Sequence, residues 1–113
     1  MESYITGRVC VITPTDKQID VMNSDRFARE LGERFDGMHD IVLDLHKVLF
    51  LDSSALGKLV VFLRTVREAR RNIAFCGMND AVTVLFRMVR LSQIATAVPT
   101  LPEALAAVGA PAE

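Results

Sequence analysis

The chain has no tryptophan, one tyrosine, two cysteines, two histidines and a net charge of −1. Each shortage closes off a class of function. Cys10 and Cys76 both lie inside apolar runs, too few for a disulfide framework, and read as small core residues of a reduced protein. With only His39 and His46 beside them there is no metal-ligand spacing, so no metal or other cofactor is expected. A net charge near zero lacks the basic footprint of a nucleic-acid binder, and no direct nucleic-acid partner is expected. Lys58, Arg64, Arg67, Arg70 and Arg71 read instead as a solvated face complementing a helix C-terminus. No apolar run approaches the roughly 20 residues of a membrane span. The start, Met1-Glu2-Ser3-Tyr4, lacks the basic and apolar regions of a signal peptide. A cytoplasmic protein with no membrane insertion is therefore expected.

What the chain does have is ordinary globular composition, half apolar and a quarter charged over 113 residues. One domain, 1–113, is expected, with its core at about 9–108 and 109–113 as a flexible tail. The first strand falls at 9–12, stopped by Pro14, and a weaker extended piece at 19–22 carries Asp20. Asn23 and Ser24 cap a helix whose Phe27, Ala28, Leu31 and Phe35 keep helical spacing, closed by Gly37. Residues 41–45 are apolar on both sides of the alternation, as in a central strand covered on two faces.

The run at 48–51 continues as a buried approach to a pair of serines, and a long helix follows. Arg71 and Asn72 turn the chain into a strand at 73–76, which Gly77 ends. Asn79 or Asp80 caps a helix with Val82, Leu85, Phe86 and Val89 at helical spacing. The last strand falls at 94–98 and, with 9–12, is a candidate sheet edge. Thr100-Leu101-Pro102-Glu103 has the residues of a capping box, and Leu105 and Val108 give the final short helix its apolar face. Alternating strands and helices predict an α/β fold: a mixed, largely parallel sheet of about four to five strands packed with about four helices.

The stretch that organises this pattern is Leu51-Asp52-Ser53-Ser54-Ala55-Leu56-Gly57. Asp and Ser are helix-capping residues, because their side-chain oxygens accept the unpartnered N–H groups of a first turn. On a wheel of about 100° per residue, Leu56, Leu59, Val60, Leu63 and Val66 form the buried stripe. Ser54, Gly57, Lys58, Val61, Thr65 and Glu68 take the opposite face, while Ser53 belongs to the local turn. Val61 is apolar on a face that should be wet, beside a glycine and a hydroxyl, which suits a docking surface.

Residues 41–57, a strand and a second apolar run ending in Asp52-Ser53-Ser54-Ala55-Leu56-Gly57, resemble the STAS domain family, specifically the bacterial anti-sigma factor antagonists. That family's pattern is an apolar pair followed by D-S/T-S-G/A-apolar-G. The resemblance implies a STAS domain in which Ser54 is phosphorylated by a partner that is both anti-sigma factor and serine-protein kinase. The family also has an upstream G-x-L-D whose acid lies beside the phosphorylation site. Ile19 and Asp20 match its last two positions, while Lys17 replaces the glycine and Ala55 the commoner glycine of the later motif. The implied site is Ser54 with Asp20, Asp52 and Ser53 around it, and Ala55, Gly57, Lys58 and Val61 meeting the partner.

The function so implied is partner switching. The unmodified protein binds the anti-sigma kinase and releases the sigma factor; modification of Ser54 blocks binding until a PP2C-type phosphatase reverses it. A phosphoserine carries about −1.5 to −2 charges, which a helix N-terminus tolerates but a buried interface does not. The alternative is a non-catalytic STAS subunit bound to a membrane transporter or sensory assembly, without obligatory phosphorylation. An enzyme is not expected: G-x-S-x-G and glycine-rich phosphate loops are missing, and neither histidine has a triad context.

Overall fold

Three apolar strands with no side chain left in water form the middle of the sheet. In the computed structural model, which describes residues 1–109, these are β2 (Val9–Thr13), β4 (Asp40–Asp44) and β6 (Ile73–Cys76), the ends of β4 alone being half-buried. The remaining strands are β1 (Glu2–Thr6), β3 (Gln18–Ile19), β5 (Phe50–Leu51) and β7 (Thr96–Val98). The helices are α1 (Ser24–Arg34), α2 (Ser53–Glu68), α3 (Asp80–Met88) and α4 (Leu101–Ala107), with a 3-10 turn at Leu91–Gln93. The main sheet has the order β1-β2-β4-β6-β7 and is parallel except for the antiparallel β1–β2 hairpin. β3 and β5 form a separate parallel pair.

Alternation along the strands sorts the core into two layers. Cys10, Ile12, Ile41, Leu43, Ile73 and Phe75 face the larger one, where they meet Phe27 and Leu31 of α1, Leu59 and Leu63 of α2, and Phe86 of α3. Val9, Val11, Val42, Ala74 and Cys76 face the other side, covered by Ala104 and Val108 next to Leu101 and Leu105. The small residues of β6 on that side leave room for a short helix. Edge-to-face contacts Phe35–Phe62 and Phe75–Phe86, with ring centroids 6.1 and 5.2 Å apart, lock α1 to α2 and α3 to the sheet. α4 begins with the expected cap: Thr100 Oγ1 accepts from the Glu103 N–H and donates to Glu103 Oε1 at 2.8 Å.

The α/β class, the mixed and mostly parallel five-stranded sheet and the helix number agree with the sequence pattern. Several local expectations are corrected. β1, with only Tyr4 and Ile5 as large apolar residues and every side chain exposed, has no core pattern; it pairs with β2, so the strand at 9–12 is interior and β1 takes the edge. The last strand starts at Thr96 because Leu91 buries itself in a 3-10 turn that leaves Ile94 exposed. The extended piece at 19–22 stops at Ile19, and α1 ends at Arg34, before Gly37. In the run 48–51, Val48 and Leu51 are buried but Leu49 and Phe50 are exposed, since β5 has one partner strand and one covered face. Val60 is half-buried and Phe62 completes the inner stripe of α2; Val89 lies exposed beyond α3. Of the expected tail 109–113, residues 110–113 lie outside the described residues.

Candidate functional site

The parallel pairing of β3 with β5 brings two acids together. Ile19 lies beside Leu51, and the Asp52 N–H continues the ladder to the Ile19 carbonyl at 3.1 Å, so Asp20 and Asp52 leave the pair side by side. Asp52 then caps α2 as the sequence suggests, its Oδ1 accepting the Ala55 N–H at 3.0 Å. Its other oxygen accepts the Val21 N–H at 3.0 Å, which ties the start of α2 to the loop before α1.

Asp20 turns its carboxylate into its own loop. Oδ2 accepts from Gln18 Nε2 at 2.7 Å and Oδ1 from the Met22 N–H at 2.9 Å. The Gln18 bond first, then the Met22 N–H, hold this carboxyl below its ordinary pKa, so it stays charged at neutral pH. Asn23 does not cap α1 with its side chain; its Oδ1 accepts the Asp20 N–H at 2.8 Å and its Nδ2 donates to the Gln18 carbonyl at 2.9 Å. At position 17 the Lys17 carbonyl accepts the Leu49 and Phe50 N–H groups at 2.7 and 3.1 Å, which leads the chain into the β3–β5 pair.

Between α1 and α2 lies a shallow depression of about 440 Å³, with Val21, Ser24 and Asp25 on one wall and Ser53, Ser54, Gly57, Lys58 and Val61 on the other. Lys58 Nζ reaches across to Asp25 Oδ1 at 3.0 Å. Val21 is 69% and Val61 60% exposed, apolar side chains on facing walls of a depression that also holds three serines and an ion pair, and Met22, next to Val21 in the chain, is 88% exposed. Such clustering differs from a scattered exposed valine.

Gly57, Lys58 and Val61 thus share one surface with both serines. Two expectations are corrected. Ala55 is fully buried, its methyl part of the core beneath the first turn of α2, so it presents nothing to a partner. Ser53 is not confined to the local turn: it is exposed while Ser54 is half-buried, because no preceding helical turn shields the first residue of α2. Sequence reading did not find Val21 and Asp25; an apolar residue after Asp20 and an acid at a helix start carry nothing to place them against a helix about 30 residues away in the chain.

Neither histidine lines the depression. His39 Nδ1 lies 2.6 Å from Asp36 and His46 Nδ1 3.0 Å from Asp44. Among the described residues, no three His, Cys, Asp or Glu side chains are grouped as a metal site, and no helix is long and apolar enough to cross a membrane. Cys10 and Cys76 are free and buried, and burial followed by the neighbouring Asp44 pushes the Cys76 thiol up to about 12.

The model of the STAS domain family matches residues 1–104. The chain belongs to the STAS domain family. Among solved structures, this STAS chain is similar to a Thermotoga maritima protein classed as an anti-sigma factor antagonist, with 25% identity and a TM-score of 0.87 over 95% of this chain and 92% of that one. An anti-sigma factor antagonist from Mycobacterium paratuberculosis has 21% identity and a TM-score of 0.85 over 95% and 91%. The murine anion transporter Slc26a9 has 18% identity and a TM-score of 0.77, covering 93% of this chain but 18% of the transporter. The chain therefore has the STAS fold of anti-sigma factor antagonists, a fold that also occurs within a transporter.

Proposed function

We propose that this protein is a cytoplasmic, non-enzymatic anti-sigma factor antagonist that works by partner switching. In this reading the unmodified depression docks on an anti-sigma factor that is also a serine kinase, and sigma factor is released. The kinase transfers the γ-phosphoryl group of ATP to the Ser54 oxygen, with loss of the hydroxyl proton and release of ADP. A PP2C-type phosphatase returns the serine by hydrolysis.

The observation that carries the reading is the placement of Ser54 with Gly57, Lys58 and Val61 in one depression whose opposite wall carries exposed Val21. Asp20, Asp52 and Ser53 form the surroundings of the acceptor, and Gly57, Lys58 and Val61 the docking surface. The new charge sits at the start of α2, where free N–H groups and the macrodipole accommodate it, so the fold survives. A partner would have to desolvate a phosphate between Val21 and Val61, at a cost the docking cannot recover. Modification on this reading blocks binding without refolding.

The test is a pair of variants. Ser54→Ala should bind the kinase and take no phosphate, and Ser54→Asp should bind at least tenfold more weakly than wild type. Phosphate incorporation into Ser54→Ala, or wild-type affinity of Ser54→Asp, would remove the assignment.

The similarity to part of Slc26a9 favours a second reading, a STAS subunit docked on a membrane transporter without obligatory phosphorylation. Co-purification with a permease, undiminished by Ser54→Asp, would select it.

A further inference from the structure

Lys58 stands one helical turn after Ser54 on the same face of α2, the i,i+4 spacing at which side chains meet, and its ammonium is held by Asp25 of α1 at 3.0 Å. We propose, resting on Ser54 as the modified residue, that Lys58 is the counter-cation of its phosphate: on modification Lys58 leaves Asp25 for the phosphate, and the released Asp25 carboxylate adds to the charge facing a partner.

The charges around the depression leave few alternatives. From α1 and the loop before it come Asp20, Asp25, Arg26 and Arg29, and from the cap and first turns of α2 come Asp52 and Lys58. Of these only Asp25 and Lys58 line the depression. Asp20 and Asp52 are occupied by loop and cap N–H donors, and Arg26 is tied to Asp16 at 2.9 Å and Glu30 at 3.5 Å. Lys58 is thus the only cation on the wall of the depression among the described residues.

The existing pair is easily exchanged. Asp25 is 90% and Lys58 38% exposed, and solvent-exposed pairs contribute little. A phosphate brings about twice the charge of a carboxylate and three acceptor oxygens, so it outcompetes Asp25 for one ammonium. Exchange would move part of the new negative charge across the groove from α2 to α1, on the wall that carries exposed Val21. Modification at one hydroxyl would then alter both walls of the docking face.

The test does not need the natural kinase, so its failure is separable from failure of the functional reading. Phosphoserine is installed at position 54 by amber suppression, and its second ionisation is followed by phosphorus NMR during a pH titration. The ordinary value is about 6. Lys58→Gln should raise it by about half a unit, the size an exposed ion pair produces, and Lys58→Arg should restore the wild-type value. Asp25→Asn should lower it, and by more when Lys58 is present than in the Lys58→Gln background, because only then does the carboxylate compete with the phosphate for a lysine. Equal titration of wild type and Lys58→Gln overturns the proposal, as does a Lys58→Arg variant that titrates like Lys58→Gln. Additive effects of the Asp25 and Lys58 substitutions would overturn the exchange.

Discussion

Asp52 Oδ2 accepts the backbone N–H of Val21 at 3.0 Å, across 31 residues of chain. The same carboxylate caps α2 through Oδ1, so a single side chain sets both the start of the helix carrying the serines and the position of the opposite apolar wall.

Replacing Asp52 should damage both connections. Asp52→Ala loses a helix cap and a long-range hydrogen bond and is expected to cost about 1–3 kcal/mol, read from urea unfolding. Asp52→Asn keeps the shape but turns an N–H₂ group toward one of the two backbone donors, so it should lie between wild type and alanine. A stability equal to wild type for both variants would show that the two bonds contribute nothing.

Gly57 separates stability from docking. An added Cβ meets nothing within 4 Å, so the fold does not require glycine here. Gly57→Ala should stabilise the protein by about 0.5–1 kcal/mol through helix propensity. On the functional reading it should also weaken partner binding, since the methyl projects into the depression beside Ser54 and Val61. Isothermal titration with the partner kinase and thermal unfolding, measured on the same preparation, report the two effects independently.

Gly77 is the opposite case. Its φ is +74°, and a Cβ would come 2.6 Å from Asp44 Oδ1 and 3.0 Å from the His46 backbone nitrogen. Asp44 Oδ1 already accepts the His46 N–H at 3.1 Å and cannot withdraw freely. Gly77→Ala should lose more than about 1 kcal/mol in denaturant unfolding, from the left-handed backbone and the displaced turn together.

Cys76 gives a pH dependence. Burial raises its folded-state pKa to about 12, above that of the unfolded thiol. Below the unfolded value both states hold the proton and the stabilisation is complete; as pH rises from there toward 12, the unfolded state ionises first and stability falls. The free energy of unfolding should therefore fall between about pH 9 and 11. Iodoacetamide should label the native thiol only as fast as the protein opens. Rapid native labelling at pH 8 would contradict a buried, neutral thiol.

Much of the fold was legible because it is written in local periodicity. The apolar run at 41–45, with neither face polar, marked a strand covered on both sides, and the two core layers through Ile41 and Leu43 on one face and Val42 on the other bear this out. Thr100 with Glu103, and Asp52 before Ser53, announced helix starts through side chains that bond within three residues. β1 was illegible because its five exposed residues carry no period-two apolar signal; only hydrogen bonds to β2 make it a strand.

By itself the sequence determined the alternation of strands and helices, the cap at Asp52 and the family resemblance of Asp52 through Gly57. These depend on neighbours within a turn or a strand. Tertiary structure alone decided that Val21 and Asp25 face Ser54 and Lys58, that Ser53 shares their depression and that Ala55 turns into the core. The physical reason is that a helical wheel orders side chains around one axis but carries no knowledge of what packs against it. Here the β3–β5 pairing and the Asp52–Val21 hydrogen bond, both between residues far apart in the chain, place the second wall.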